Sequence, residues 1–278
     1  MLPVVDLLNA IILGIVEGIT EFLPVSSTGH LIVAQRALGF QDQGATFLVV
    51  IQIGAILAVV FYYWKDLIAW LFGLFQGKAT ALRFWLNLVI ATLPAAIIGF
   101  ALRDVLATFE TPLVVGLALV IGGVILWVLE IARGKQNAEP EPLEPMIDSI
   151  TPRQALIVGF VQVLALLFPG TSRSGASIVG GWLVGMNRVT ATAFSFYLGL
   201  PTLGLAGLYK LYEGRDRISS IPGGAPALIL GTVVSGIVAF AAVSWLLRYV
   251  SRNNFIGFAI YRIIAGSVIL ALVAFRVL

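Results

Sequence analysis

Cysteine is absent from this sequence, and histidine occurs once, at His30. The first absence excludes disulfides, thiolate metal sites and a cysteine nucleophile. The second excludes a zinc centre built from several imidazoles. Charge is scarce too: 11% of the 278 residues are Asp, Glu, Lys or Arg, against about 25% in a soluble domain. In their place stand 59% hydrophobic residues and a mean hydropathy of +1.02, the composition of a polytopic membrane protein. The net charge is +3, and the basic residues gather at the ends of apolar segments. That placement sets membrane topology and gives no footprint for a nucleic-acid partner. Asp6 precedes the first apolar stretch without a small-residue cleavage pattern, so no signal peptide is expected.

A spanning helix needs about 20 apolar residues. Six segments meet that length: 45–64, 83–103, 111–132, 189–212, 226–247 and 255–277. A polar linker, 133–152, divides the chain near its middle, and 65–82 and 213–225 read as loops. Residues 4–39 and 153–187 are too long for one span. Each is interrupted by proline and a polar cluster, "LPVSSTGH" at 23–30 and "FPGTSRSGAS" at 168–177. Such broken segments read as re-entrant hairpins, tolerated at membrane depth where protein or water covers the loose backbone. The two hairpins resemble each other. Gly14, Glu17, Pro24 and Ser27 match Gly159, Gln162, Pro169 and Ser172 at an offset of 145, and one inserted residue then matches Gly29 with Gly175. The expected fold is an all-α polytopic membrane protein with an inverted-topology repeat. The first repeat covers 1–132 and the second 153–278, each a re-entrant helical hairpin plus three transmembrane helices. Lys and Arg favour the linker face, which places that face in the cytoplasm and both termini outside.

Glu17 and Glu21 are spaced i, i+4 and share one helix face within apolar sequence. Carboxylates buried there are costly unless a hard divalent cation or Arg173 offsets them. Pro24 ends the first half-helix, and Ser26, Ser27 or Thr28 can cap the next. His30 follows Ser27 by three residues, a spacing that permits nucleophilic or acid–base chemistry. In the second hairpin Pro169 and Gly170 break the helix, and Thr171, Ser172 and Ser174 can cap its restart. Exposed N–H groups and the helix dipole make an anion cradle there, and Arg173 adds a forked cation suited to phosphate. Arg262, a second intramembrane cation, pairs inward or snorkels. Gln52 and Gln162 read as interhelical glue.

With "GIVEGITEFLPVSSTGHL" at 14–31, "PGTSRSGASI" at 169–178 and "FAIYRI" at 258–263, the chain resembles the undecaprenyl-diphosphate phosphatases, the bacitracin-resistance proteins of bacterial envelopes, over essentially its whole length. The resemblance implies an enzyme of the bacterial inner membrane that removes the terminal phosphate of undecaprenyl diphosphate and returns the carrier lipid to cell-wall synthesis. It implies a catalytic set of Ser27, His30 and Glu21. The diphosphate falls to Arg173, Ser172, Ser174, Thr171, Ser26 and Ser177, the last standing where threonine is often found. Magnesium or calcium falls to Glu17 and Glu21. The partners expected are a polyprenyl diphosphate, the bilayer and a second copy in a homodimer, with the site facing outward. Two routes stay open: attack by Ser27 with His30 moving protons, or attack by water activated by the metal and His30. The membrane phosphatases that form a phosphohistidine use two histidines, and this chain has one. An inverted-repeat transporter or flippase for polyprenyl phosphate or another anion is the alternative, since it would use the same cradle.

Overall fold

The apolar segments are realised as helices. The computed structural model describes residues 2–42, 45–106, 109, 111–134 and 141–278, so residues 135–140 of the expected linker lie outside the described residues. Among these, eleven α-helices follow in chain order. They are α1 (Leu2–Thr20), α2 (Ser27–Leu38), α3 (Thr46–Tyr62), α4 (Trp64–Phe75), α5 (Ala79–Leu106), α6 (Pro112–Gly134), α7 (Pro152–Leu167), α8 (Arg173–Leu183), α9 (Arg188–Gly214), α10 (Gly224–Val250) and α11 (Ile256–Ala274). Five of the described helices are long and apolar enough to cross a membrane, and a sixth is counted if the bent pair α3–α4 is one span.

Local chemistry sets several helix ends. The Thr151 side chain accepts from Gln154 N while the Gln154 side chain accepts from Thr151 N, a reciprocal cap, and Pro152 fills the first helical position of α7. Asn187 Oδ1 accepts from Thr190 N at 2.7 Å and starts α9. Gly39, at φ 62°, closes α2 in the left-handed region that favours glycine. One stretch departs from expectation: 65–82 reads as a loop, yet Trp64–Phe75 is helical. The chain turns 73° between α3 and α4. Lys65 and Asp66 mask the segment in a hydropathy reading, but Trp64, Ile68, Leu71, Phe72 and Phe75 form one exposed apolar face.

The halves interlock. Helix α1 packs on α10, α7 on α5, α3 on both α9 and α10, and α6 on α11. Close approach depends on missing side chains. A methyl carbon on Gly54 would overlap the Thr232 carbonyl, and one on Gly159 would lie 2.6 Å from Ala91 O. At the linker face Arg188 pairs with Glu130 and, at 3.6 Å, with Glu141, tying the start of α9 to α6 and the linker. Arg83 Nη1 donates to Asp148 O, which puts the start of α5 on that face too.

Candidate functional site

Helices α1 and α7 each run into a break, and the two breaks meet. Ser174 Oγ donates to Leu23 O across the two hairpins at 2.9 Å. Backbone geometry repeats as well. Ser26 and Ser172 each sit at φ 71°, immediately before α2 and α8. Left-handed φ is uncommon for a residue with a Cβ, and it persists only where the surroundings hold it. This pairing moves the inserted residue. Ser26, not Ser27, corresponds to Ser172, so the offset is already 146 at the caps, and Ser27 corresponds to Arg173.

These two equivalent residues share one carboxylate. Ser27 Oγ donates to Glu21 Oε2 at 2.6 Å, and Arg173 Nη2 reaches Glu21 Oε1 at 3.4 Å. Arg173 Nη1 donates to Ser195 O on α9 at 2.9 Å, which fixes the guanidinium from its far side. Ser172 Oγ accepts from Gly175 N at 3.1 Å and pairs with Ser174 Oγ at 3.0 Å. Glu17, one turn before Glu21, is fully buried, and its carboxylate oxygens accept no hydrogen bond from the described residues.

Glu21, Ser26, Ser27, Ser172 and Arg173 line one cavity of about 750 Å³, within the range of roughly 300–1,000 Å³ typical of small-molecule sites. Its other walls are largely apolar. Ala95, Gly99 and Phe100 come from α5, and Leu205, Ala206 and Tyr209 from α9. Phe100, Leu205 and Tyr209 are 78%, 65% and 62% exposed and mark the mouth. Gln52 and Gln162 also line the cavity. Gln162 Nε2 donates to Ala91 O at 2.7 Å, so the glue reading holds for it, and the walls gain polarity that this reading did not foresee.

Several expected residues stand elsewhere. His30 does not meet Ser27. Its Nδ1 lies 2.7 Å from Ser26 O and its Nε2 2.6 Å from Tyr261 OH, with the two rings stacked 5.5 Å apart. A carbonyl only accepts, so Nδ1–H donates to it, and Nε2 accepts from Tyr261 in the neutral ring. Spacing i, i+3 put His30 near Ser27, but the ring turns back to the strained cap. Thr171 Oγ1 donates to Phe168 O and Ser177 Oγ to Arg173 O, so both hydroxyls are spent on main-chain acceptors. Ser195 and Tyr261 escaped sequence reasoning. Ser195 acts through a carbonyl, which carries no side-chain signal, and Tyr261 lies inside "FAIYRI" beside the more conspicuous Arg262.

Arg262, 2% exposed, is turned inward and does not snorkel. A carboxylate, a hydroxyl and a guanidinium at the meeting point of two helix breaks define a polytopic membrane protein with a polar, charged cavity within its helical bundle. The comparisons narrow that class. The family described as bacitracin resistance protein BacA matches residues 10–268. A protein of Deinococcus radiodurans named undecaprenyl-diphosphatase is 47% identical over 98% of this chain and 97% of its own length. Proteins of the same name from Deinococcus deserti and Albidiferax ferrireducens are each 45% identical over 97% of this chain and 96% of their own. The chain belongs to the bacitracin resistance protein BacA family.

Proposed function

We propose that this protein is an integral-membrane undecaprenyl-diphosphatase, hydrolysing undecaprenyl diphosphate to undecaprenyl phosphate and inorganic phosphate. The observation that carries the chemistry is the 2.6 Å hydrogen bond from Ser27 to Glu21, with Arg173 on the other oxygen of that carboxylate. The hydroxyl has a base, and the base has a fixed orientation. Ser27 Oγ attacks the terminal phosphorus while the bridging P–O bond breaks, and its proton passes to Glu21. Polyprenyl phosphate leaves. Glu21 gives that proton to the departing polyprenyl phosphate oxygen; water then attacks the phosphorus of phosphoserine, Glu21 takes a proton from that water and returns it to Ser27 Oγ as phosphate departs. Arg173 and the N-terminal N–H groups of α8 supply donors to the phosphoryl oxygens as charge spreads over them. The tail lies along the apolar walls between α5 and α9 and leaves through the mouth into the bilayer.

A divalent cation fits this donor set. Among the described residues no three acidic or imidazole side chains gather to cage a metal. Magnesium, however, is commonly held by one or two carboxylates plus substrate phosphates and water. Glu17, whose two buried oxygens accept no hydrogen bond from the described residues, and Glu21 are the residues that would hold it. When bound, the ion would neutralise charge on the diphosphate.

The inverted repeat belongs to the same reading. It is supported by the matched caps at φ 71° and by exchanged packing, α1 on α10 beside α7 on α5. Phe100 and Tyr209 lie late in helices that start at the linker face. With that face in the cytoplasm, the mouth opens on the outer side of the inner membrane. The test is phosphate release by the purified full-length protein given a polyprenyl diphosphate, with and without chelator. Release that survives Ser27→Ala unchanged would refute the covalent route. Release that also survives Arg173→Ala would point to a contaminating enzyme.

A further inference from the structure

Arg262 on α11 is buried, and its polar partners among the described residues are main-chain carbonyls, with no carboxylate among them. Nη1 donates to Pro24 O at 3.2 Å, Nη2 to Gly170 O at 3.4 Å and Ala118 O at 3.3 Å, and Nε to Leu119 O at 3.5 Å. Pro24 belongs to the first break and Gly170 to the second. Each carbonyl stands three residues before the functional side chain of its half, Pro24 before Ser27 and Gly170 before Arg173.

We propose that Arg262 is a positioning residue that fixes the separation of the two breaks, and with it the placement of Ser27 and Glu21 against Arg173. The inference rests on the phosphatase reading for its kinetic consequences only. A buried cation facing dipoles rather than a counter-charge is costly, so its geometry is held by its surroundings. The broken helices leave carbonyls that need donors at membrane depth. One planar guanidinium carries five donors in a fixed fork and reaches both breaks at once. An ammonium offers a point charge with no such span. Neighbouring helices make room for the fork: a methyl carbon on Gly122 of α6 would overlap Nη2, and one on Gly175 of α8 would lie 3.0 Å from Nη1.

The test compares Arg262→Lys, which keeps the charge, with Gly122→Ala, which keeps the arginine and displaces it. Both are made in the full-length protein in lipid nanodiscs and assayed below their melting temperatures. Misplacement by about 1 Å costs on the order of 10²-fold in rate. Each variant is expected to lose roughly that much kcat with KM within about threefold of wild type. Hydrogen exchange over residues 20–30 and 168–176 should rise in both, whatever the turnover. Wild-type kcat in Arg262→Lys would show that charge alone suffices and would overturn the proposal. Full activity in Gly122→Ala, a change confined to KM, or unchanged exchange protection would overturn it as well. Where Arg262→Lys does not insert, Gly122→Ala decides. A wild-type protein that releases no phosphate speaks against the phosphatase reading, and the exchange measurement then still judges the brace.

Discussion

The two helix breaks end in the same cap conformation and carry opposite chemistry, although the second also passes through Gly170 at φ 101° and the first has no residue of that kind. Each follows a helix that stops a few residues before a proline, passes through a serine at φ 71° and restarts in a shorter helix. After the first serine comes a hydroxyl bonded to a carboxylate. After the second comes a guanidinium bonded to the same carboxylate. Two similar caps therefore bring a hydroxyl from one side and a guanidinium from the other to one carboxylate; on the proposed reading the first is a nucleophile and the second an anion grip. The residue after the matched serine is Ser27 in one break and Arg173 in the other. One asymmetry accompanies this: Ser172 Oγ caps its own helix by accepting from Gly175 N, whereas Ser26 makes no side-chain cap. The first break is held instead by His30, whose Nδ1–H donates to Ser26 O.

The comparison is broken most severely at the first position. Ser27→Ala removes the attacking oxygen and should lower kcat by about 10⁴-fold or more, as loss of a nucleophile does elsewhere. Single-turnover assays with terminally labelled polyprenyl diphosphate check this, and label should remain on wild-type protein after acid quench but not on the variant. Arg173→Ala acts on the other half. It removes the grip and leaves Glu21 facing the diphosphate without a counter-charge. A loss of about 10³-fold in kcat/KM is expected, with Arg173→Lys recovering only part of it, because an ammonium cannot serve Glu21 and Ser195 O together in forked geometry. Full recovery by lysine would make the second break a source of charge rather than of orientation.

Glu17→Gln sharpens the difference between the two breaks, because the residue 145 positions on from Glu17, before the second break, is already glutamine, Gln162. The substitution should weaken the divalent-cation requirement by about 10–100-fold, read from magnesium titrations of chelated protein. Direct metal binding measured without substrate should fall in parallel. A titration identical to wild type would remove Glu17 from the metal site.

Much of this was legible in the residues. Pro24, Pro169 and their polar neighbours sit in stretches too long for one span and too interrupted for two, so the half-helices were readable from length alone. The pair Glu17 and Glu21, and Arg173 between serines, stood out because charge at that depth is expensive. Other features were not readable, for identifiable reasons. Helix α4 was hidden because Lys65 and Asp66 open it. Ser195 holds Arg173 through its carbonyl, which no side-chain pattern announces. The direction of His30 depended on a backbone angle at Ser26 that spacing does not encode, and helical periodicity alone set it toward Ser27. Register at the caps failed similarly: letters align Ser27 with Ser172, while geometry aligns Ser26 with Ser172.

The smallest expected effect tests that last point. If His30 carried protons for the reaction, its loss would cost about 10²–10⁴-fold, and one limb of the pH–rate profile would disappear with it. The structure engages both ring nitrogens, one at the Ser26 carbonyl and one at Tyr261, and His30 is not part of the cavity wall. His30→Ala should therefore lower kcat by about fivefold, the scale of a lost hydrogen bond of about 1 kcal/mol, while the pH–rate profile keeps both limbs. Tyr261→Phe removes a single hydroxyl from the ring's outer nitrogen and should cost only about twofold, since an exchangeable hydrogen bond is worth about 0.5–1.5 kcal/mol at most. The two changes are coupled through one imidazole, so the double variant should be no slower than His30→Ala alone. A double variant slower by the product of the two single losses would separate Tyr261 from the first break and leave Ser26 without the support assigned to it.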